Sequence, residues 1–246
     1  MENKTIDINV DVGEGIGNET EIMPLIASCN IACGGHAGDL DTMQYVVKLA
    51  KEYRVKIGAH PSFPDKENFG RVEMDMSCAA LFTSVKQQIQ TLQDVLYTQH
   101  AMLHHIKPHG ALYNLAAVNT KIANVIIEVM KSLVLPVKLY VPYKSVIANL
   151  AIKNNIAVTY EAFADRNYND DLTLVSRQEN NALITDVNVM FHHVYNMILK
   201  QKVKTVTNIE VDILAETFCI HGDNPDAIVL IESLKEKLEA KGIRIR

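Results

Sequence analysis

Short apolar runs alternate with helix-like patterns along the whole chain, and turn-forming or titratable residues close most of these runs. Several runs are apolar on both faces, which is typical of parallel strands that are covered on both sides. The runs predict strands at residues 6–11, 29–33, 55–59, 104–107, 137–141, 157–161 and 216–221. Strands that alternate with helices in this way indicate right-handed βα units.

The segments between the strands carry apolar side chains at helical spacing. Asp39 and Ser77 stand where two of these helices begin and are candidate N-caps. Helices are predicted at residues 39–53, 77–100, 119–134, 143–154, 185–199 and 225–241. Two stretches differ: a long loop containing Pro and Gly over 60–76, and a β-hairpin over 203–213 that turns near Thr207 and Asn208.

About seven βα units in 246 residues favour a (β/α) barrel over an open sheet. We expect an α/β fold with a TIM-like barrel that departs from the eightfold form. With 48% hydrophobic residues and no linker or repeat, residues 1–246 are expected to form a single domain.

Composition excludes several classes of protein. The net charge is −5 and the basic residues are dispersed, so neither nucleic acid nor a membrane surface is an expected partner. No apolar run reaches the ~18 residues of a membrane span and the N-terminus lacks a signal-peptide core, so a cytoplasmic location is expected. The cysteines form no CxxC pair and are predicted to be buried, reduced thiols: Cys29, Cys33, Cys78 and Cys219.

Titratable residues stand at or just past the ends of many predicted strands. They are His36, His60, His109, His221 and, in TIDINVDVGEG (5–15), Asp11 and Glu14. A barrel gathers the carboxyl ends of its strands on one face, and that face carries the active site in barrel enzymes. The pattern therefore predicts an enzyme.

Two of these segments place chemically complementary groups side by side. Asn9 and Asp11 are two residues apart and share one face of a strand, and Lys107 and His109 do so if their strand continues past Pro108. A lysine can stabilise a developing oxyanion while a histidine moves protons. We therefore take Asp11, Lys107 and His109 as the candidate catalytic residues.

The remaining polar residues leave alternatives open. His36 and His60 can bind substrate or, with Asp11, a metal ion, although no HxxxH or HExxH pair is present. Arg166 suits an anionic substrate, or else pairs internally with Asp165. His221 and Asp223 can form an oriented base or binding pair. Equally, Asp223 can cap the helix that begins at Pro225.

Several motifs resemble the LamB/YcsF family, and they occur in the family's order over essentially the whole chain. They are DINVDVGEG, SCNIACGGHAGD, IGAHPSFPD with NFGR, HIKPHGALYN, FADRNY with LVSR, and FCIHGDNP. The chain differs from the family pattern at Val10 and Ser176 and in a short segment after Gly17. The resemblance implies a barrel of the glycoside hydrolase/deacetylase kind.

The resemblance also implies an activity: opening of the 5-oxoproline lactam to glutamate, coupled to hydrolysis of ATP with Mg²⁺. It further implies that the chain acts as one subunit of a larger enzyme, with the 5-oxoprolinase B and C subunits as partners. Under this hypothesis Asp11, Lys107 and His109 act on the lactam. The expected substrate- or nucleotide-binding residues are Asn9, Glu14, His36, His60, Asp165, Arg166, His221 and Asp223.

Two other functions remain open at this point. One is a metal-dependent deacetylase or amidohydrolase that needs no ATP, with Asp11, His36 and His60 as the metal triad. The other is a non-catalytic subunit that binds the lactam and delivers it to partners. No Walker-type loop is visible in the sequence, so the position of ATP is not predicted.

Overall fold

A computed structural model describes residues 4–134, 136–224 and 226–246. The strands in these ranges are β1 (Lys4–Val12), β2 (Ser28–Ala32), β3 (Lys56–His60), β4 (Leu103–Ile106), β5 (Lys138–Pro142), β6 (Val158–Phe163), β7 (Lys202–Lys204), β8 (Glu210–Asp212), β9 (Thr217–Ile220) and β10 (Ile243–Ile245). Strands β1 to β6 and β9 pair in parallel, and β9 closes the barrel by pairing with both β6 and β1. These seven strands match the seven predicted ones and confirm the TIM-like barrel.

Helices surround the barrel. They are α1 (Glu19–Ile22), α2 (Leu40–Glu52), α3 (Cys78–Thr98), α4 (Gly110–Val118), α5 (Thr120–Lys131), α6 (Val146–Lys153), α7 (Val187–Lys200) and α8 (Ala227–Glu239), and Met23–Leu25 forms a 3-10 turn. The six predicted helices are present with shifted ends, and Pro225 lies outside the described residues. In the described ranges, no helix has both the length and the apolar character that a membrane crossing requires.

Both predicted helix caps are confirmed. The Asp39 carboxylate accepts the Thr42 N–H at 2.8 Å, and the Ser77 hydroxyl accepts the Ala80 N–H at 3.2 Å. The predicted hairpin is also present as β7 and β8, with Asn208 at a positive φ of 66° in its turn.

Besides the 3-10 turn, three elements were not predicted, and one cysteine was assigned wrongly. Helix α1 is a single turn, too short to show a period, and α4 is apolar around most of its circumference, so it lacks the one-sided stripe that marks a helix in sequence. Strand β10 has three residues and depends on pairing with β1, which no local pattern reveals. Cys78 is exposed at the start of α3, whereas the other three free cysteines are buried as expected.

The barrel interior is polar along β1. Asp7, Asn9 and Asp11 alternate with the fully buried Ile8 and Val10, which confirms that Asn9 and Asp11 share one face. The Asn30 amide donates to Asn9 Oδ1 and to Asp11 Oδ1, both at 2.7 Å. The polar side chains below Asp11 in the barrel are therefore hydrogen-bonded to one another, as buried polar atoms generally are.

Candidate active site

A cavity of about 370 Å³ opens at the carboxyl ends of the barrel strands. Its lining includes Asp11 from β1, His60 from β3, Lys107 and His109 beyond β4, Phe163 from β6 and His221 beyond β9. This is the face on which barrel enzymes carry their active sites. The prediction that these strand ends meet is confirmed, and the volume suits a small molecule.

Lys107 lies at the base of this cavity between two carboxylates. Its Nζ is 3.0 Å from Asp11 Oδ1 and 2.9 Å from Glu161 Oε1, and it donates to Asn9 Oδ1 at 3.2 Å. Burial disfavours the ammonium, but Asp11 and Glu161 outweigh it and hold the pKa of Lys107 well above its ordinary value. Lys107 is therefore a permanent cation.

Asp11 is the ionised partner in this group. Burial would raise its pKa, but His60 and Lys107 outweigh burial and hold the pKa of Asp11 well below its usual range. Its second oxygen, Oδ2, lies 3.3 Å from His60 Nε2. The carboxylate thus joins the lysine to a neighbouring group of histidines.

That neighbouring group consists of Glu14, His36, His60 and His109, which we call the histidine cluster. Glu14 Oε1 lies 2.9 Å from His36 Nε2, 3.4 Å from His109 Nδ1 and 3.9 Å from His60 Nε2. The rings of His36 and His109 stack at 3.7 Å. Burial, with the nearby charge of Asp11, raises the pKa of Glu14 to about 7. The four residues come from four loops or strand ends, and together they are a candidate metal-binding group.

Backbone carbonyls orient two of the cluster's rings. His60 Nδ1 donates to the carbonyl oxygen of Lys107 at 2.7 Å, and His109 Nε2 donates to that of Phe69 at 2.9 Å. A carbonyl oxygen can only accept, so these two nitrogens carry protons. The other two nitrogens, His60 Nε2 and His109 Nδ1, face each other at 2.9 Å.

The predicted long loop after β3 covers the cluster with its NFGR segment. Gly70 has a φ of +64°, and a Cβ there would lie 3.0 Å from His36 Cβ and 3.1 Å from His109 Cδ2. The Ala111 N–H donates to the Gly70 carbonyl at 3.0 Å, which joins this loop to the start of α4. Glycine is therefore required for the loop to pass this close to the imidazoles.

His221 and Asp165 form a second unit at the cavity. His221 Nδ1 lies 2.9 Å from Asp165 Oδ2, and the His221 backbone N–H donates to the same oxygen at 3.0 Å. Burial would raise the pKa of Asp165, but His221 outweighs it and lowers that pKa. The ring, stacked on Phe163 at 5.4 Å, is thus held with Nδ1 engaged by the carboxylate.

The structure decides two of the open alternatives. Arg166 does not pair with Asp165, because its guanidinium donates to the backbone carbonyls of Ala182 at 3.3 Å and Val175 at 2.5 Å. Asp223 does not cap α8, whose N-cap is Asp226. Instead it pairs with two arginines at the cavity mouth, Arg71 and, at 3.8 Å, Arg177.

Comparison with known proteins points to the same family as the sequence motifs. The sequence profile of the LamB/YcsF family matches residues 6–246. The chain belongs to the LamB/YcsF family. It is 39% identical over 248 residues to the 5-oxoprolinase A subunit from Bacillus cereus (strain B4264), with 98% of each chain covered. The family resemblance expected from the motifs is therefore confirmed.

Solved structures agree with the fold of this LamB/YcsF protein. The lactam utilization protein from Thermus thermophilus superposes with a TM-score of 0.92 at 36% identity, over 98% of this chain and 99% of that one. A GH18 chitinase from Pseudoalteromonas aurantia, 10% identical, reaches a TM-score of 0.55 over 94% of this chain and 100% of that one, and this likeness concerns the fold alone.

Two residues that hold the candidate site of this LamB/YcsF protein together were given no role from the sequence. Glu161 binds Lys107, and Asn30 joins Asn9 to Asp11. Both are polar residues inside predicted buried strands, and that contrast is the signal that could have identified them. Glu161 has the further signal of standing near the carboxyl end of its strand.

Proposed function

We propose that this protein is the A subunit of an ATP-dependent 5-oxoprolinase and opens the 5-oxoproline lactam ring to give glutamate. The observation that carries the proposal is one small cavity whose lining contains both a fixed cation, Lys107, and an oriented histidine, His221. The names of the Bacillus and Thermus relatives supply the substrate class.

The chemistry of amide hydrolysis assigns a role to each group. Attack of water on the lactam carbonyl places negative charge on its oxygen, and the Lys107 ammonium would stabilise that charge. His221, oriented by Asp165, would take the proton from the water and return it to the leaving nitrogen. Asp11 would hold Lys107 in place as its permanent counter-ion.

His109 was our sequence candidate for proton transfer, and that role stays a prediction. Both of its ring nitrogens are engaged, Nε2 by the Phe69 carbonyl and Nδ1 by the cluster. His221 keeps Nε2 available, because only its Nδ1 bonds to Asp165 among the contacts of the described residues. We therefore assign the proton transfer to His221.

Two arginines suit the carboxylate of 5-oxoproline. Arg71 and Arg177 line the cavity mouth and share Asp223 as their partner. A substrate carboxylate can replace an aspartate in such a pair, because arginine binds either one in the same geometry. Arg166 would support the surrounding loop instead, through its bonds to backbone carbonyls.

The residues beside the site fit a nucleotide phosphate better than they fit Mg²⁺ itself. A second cavity of about 720 Å³ shares Arg71, Tyr113 and Phe163 with the first and also contains Lys144. We propose that ATP binds there in the complex with the B and C subunits and transfers its γ-phosphoryl group to the lactam oxygen, releasing ADP. Water then attacks the activated ring carbon, the C–N bond breaks, and hydrolysis of the resulting acyl phosphate gives glutamate and phosphate. Mg²⁺ prefers oxygen ligands, so we expect it to arrive with the nucleotide and not to bind the histidine cluster.

Glutamate release from 5-oxoproline tests the proposal. The purified chain is assayed alone and with its B and C partners, each with and without Mg-ATP. We expect release only with partners and ATP, and a large loss in His221→Asn and Lys107→Met. Absence of release from three folded, associated proteins contradicts the proposal. Full turnover in both variants would assign the chemistry to the partners and leave this chain a lactam-binding subunit.

The histidine cluster favours one alternative, a metal-dependent deacetylase or amidohydrolase that needs no ATP. Deacetylation of acetylated sugars by the chain alone, lost on chelation, would support that alternative. An activity that requires ATP and partner subunits excludes it.

A further inference from the structure

Side-chain atoms of Glu14, His36, His60 and His109 converge on one point from four separate segments of the chain. One donor atom from each residue lies within 4.8 Å of all the others. The three histidines are 2%, 1% and 5% exposed, so these atoms are largely shielded from bulk water. Lone pairs buried this close together repel each other unless a positive charge lies among them.

The ring orientations make this requirement specific. Backbone carbonyls occupy His60 Nδ1 and His109 Nε2, so His60 Nε2 and His109 Nδ1 are the ring nitrogens that face the cluster. These two nitrogens lie 2.9 Å apart, and Glu14 Oε1 lies 3.4 Å from His109 Nδ1. A single metal ion placed among the three atoms can bind all of them at once.

We propose that the histidine cluster binds one divalent transition-metal ion, with Zn²⁺ the best match to its donors. Three imidazole nitrogens and one carboxylate oxygen are a ligand set typical of zinc and its first-row neighbours, whereas Mg²⁺ and Ca²⁺ require oxygen. The carbonyls of Lys107 and Phe69 hold two of the rings by their outer nitrogens, which is how metal-binding histidines are commonly oriented.

This ligand set differs from the triad that the sequence indicated. His36 and His60 belong to it, but the oxygen comes from Glu14 and a third imidazole from His109. Asp11 lies beside the group, with Oδ2 3.3 Å from His60 Nε2, and is committed to Lys107 and Asn30 through its other oxygen. Its carboxylate would therefore neighbour the ion without being needed to hold it.

The position of the ion gives it access to a ligand in the cavity. His60, His109 and Asp11 line that cavity, so an ion among the cluster residues would face the space that receives the substrate. A divalent cation there would polarise a carbonyl oxygen. The metal site is inferred from the geometry of the four side chains, so it does not depend on the lactam being the substrate.

Metal content and metal binding of the untagged chain test this proposal. Wild type, Glu14→Gln and His60→Ala are stripped with chelator and titrated with Zn²⁺ and with Co²⁺, whose visible absorption reports imidazole coordination. His192→Ala removes an exposed imidazole from α7 and is the matched control. We expect wild type and the control to bind one equivalent of metal ion per chain. Each cluster variant should lose more metal affinity than the ~10–100-fold that is lost when a partner behind a metal ligand is removed.

Circular dichroism of each variant shows whether it is folded, and the wild-type titration does not depend on the variants. Folded wild type that takes up no Zn²⁺, Co²⁺, Mn²⁺ or Fe²⁺ at millimolar concentration would overturn the proposal and leave a shared proton as the cluster's cation. Equal uptake by wild type and both cluster variants would overturn it as well, because the ion would then bind elsewhere. Neither measurement requires turnover. A chain that binds no metal ion can therefore be distinguished from a chain that is not an oxoprolinase.

Discussion

The ammonium of Lys107 lies 2.9 Å from the carboxylate of Glu161, and both side chains are shielded from solvent by the barrel. With Asp11 on its other side, the lysine is the only cation among these three groups. Both buried carboxylates are paired with this one ammonium, and Asp11 has His60 as a further neighbour. The ion pair of Lys107 with Glu161 is therefore a structural requirement as well as part of the proposed catalytic site.

Lys107→Met should lower both stability and activity. Removing one partner of a buried ion pair leaves the others uncompensated, which costs about 3–5 kcal/mol of unfolding free energy. Urea denaturation measures this loss, and glutamate release with the partner subunits should fall about 100–1,000-fold, as expected for an oxyanion-stabilising group.

Lys131→Met is the control for the lysine variant. Its ion pair with Glu128 is exposed, with side chains 46% and 59% accessible, so its removal should cost less than about 1 kcal/mol. Replacing Glu161 by Gln in the Lys107→Met background should recover part of the lost stability. Equal stabilities of Lys107→Met and Lys131→Met would contradict the buried-pair interpretation.

Asp165→Asn should reduce kcat by about 100–10,000-fold, the usual range for loss of acid–base catalysis. Asparagine preserves the shape of the side chain but not the charge that orients His221 Nδ1–H. The measurement is kcat for 5-oxoproline in the assembled enzyme. Asp41→Asn, at an exposed position in α2, should leave kcat unchanged, and a fully active Asp165→Asn enzyme would remove His221 from the mechanism.

The same aspartate should make stability depend on acid pH. Its folded-state pKa is lowered, because the His221 contacts outweigh burial, so ionised Asp165 stabilises the fold above the unfolded-state pKa of about 4. That contribution is lost as the pH falls through the lower folded-state pKa. We expect the difference in unfolding free energy between wild type and Asp165→Asn to be constant above pH ~5 and to shrink below pH ~4. A difference that grows in acid would contradict this sign.

Gly110→Ala should destabilise the loop that covers the histidine cluster. Gly110 has a φ of +54°, and an added Cβ would lie 2.5 Å from the Gly70 carbonyl oxygen. Gly242→Ala is the matched control, because it also has a positive φ, +78°, but no heavy atom within 4 Å. The control should lose only the ~1–2 kcal/mol of left-handed backbone strain. Gly110→Ala should lose clearly more in thermal and urea denaturation, and equal losses would mean that the Gly70 contact relaxes freely.

Metal should raise the melting temperature if the cluster binds it. An ion at 100 times its Kd stabilises the folded state by about 2.7 kcal/mol, which corresponds to roughly 5–10 °C for a chain of this size. Scanning calorimetry of chelator-treated wild type with and without Zn²⁺ measures the shift. His36→Ala should show none of it, while His192→Ala should show all of it.

Much of this architecture was predictable because it is encoded locally. The seven barrel strands are short runs that must be apolar on their helix-facing side, and caps such as Asp39 and Ser77 satisfy backbone N–H groups within three residues of themselves. Helix α4 and strand β10 escaped prediction because one lacks an amphipathic stripe and the other exists only through its pairing with β1.

The site was predictable as a set of residues but not as an arrangement. The order of strands and loops is enough to place five side chains at one end of the barrel, because parallel strands align their carboxyl ends. They are Asp11, His60, Lys107, His109 and His221. The pairing of the groups depends on the folded barrel: Glu161 pairs with Lys107, Asp165 with His221, and Glu14 with three imidazoles. Those pairs join residues from different strands, and ring orientation is set by carbonyls of distant loops. Distances of this kind depend on how the barrel closes, which no local pattern encodes.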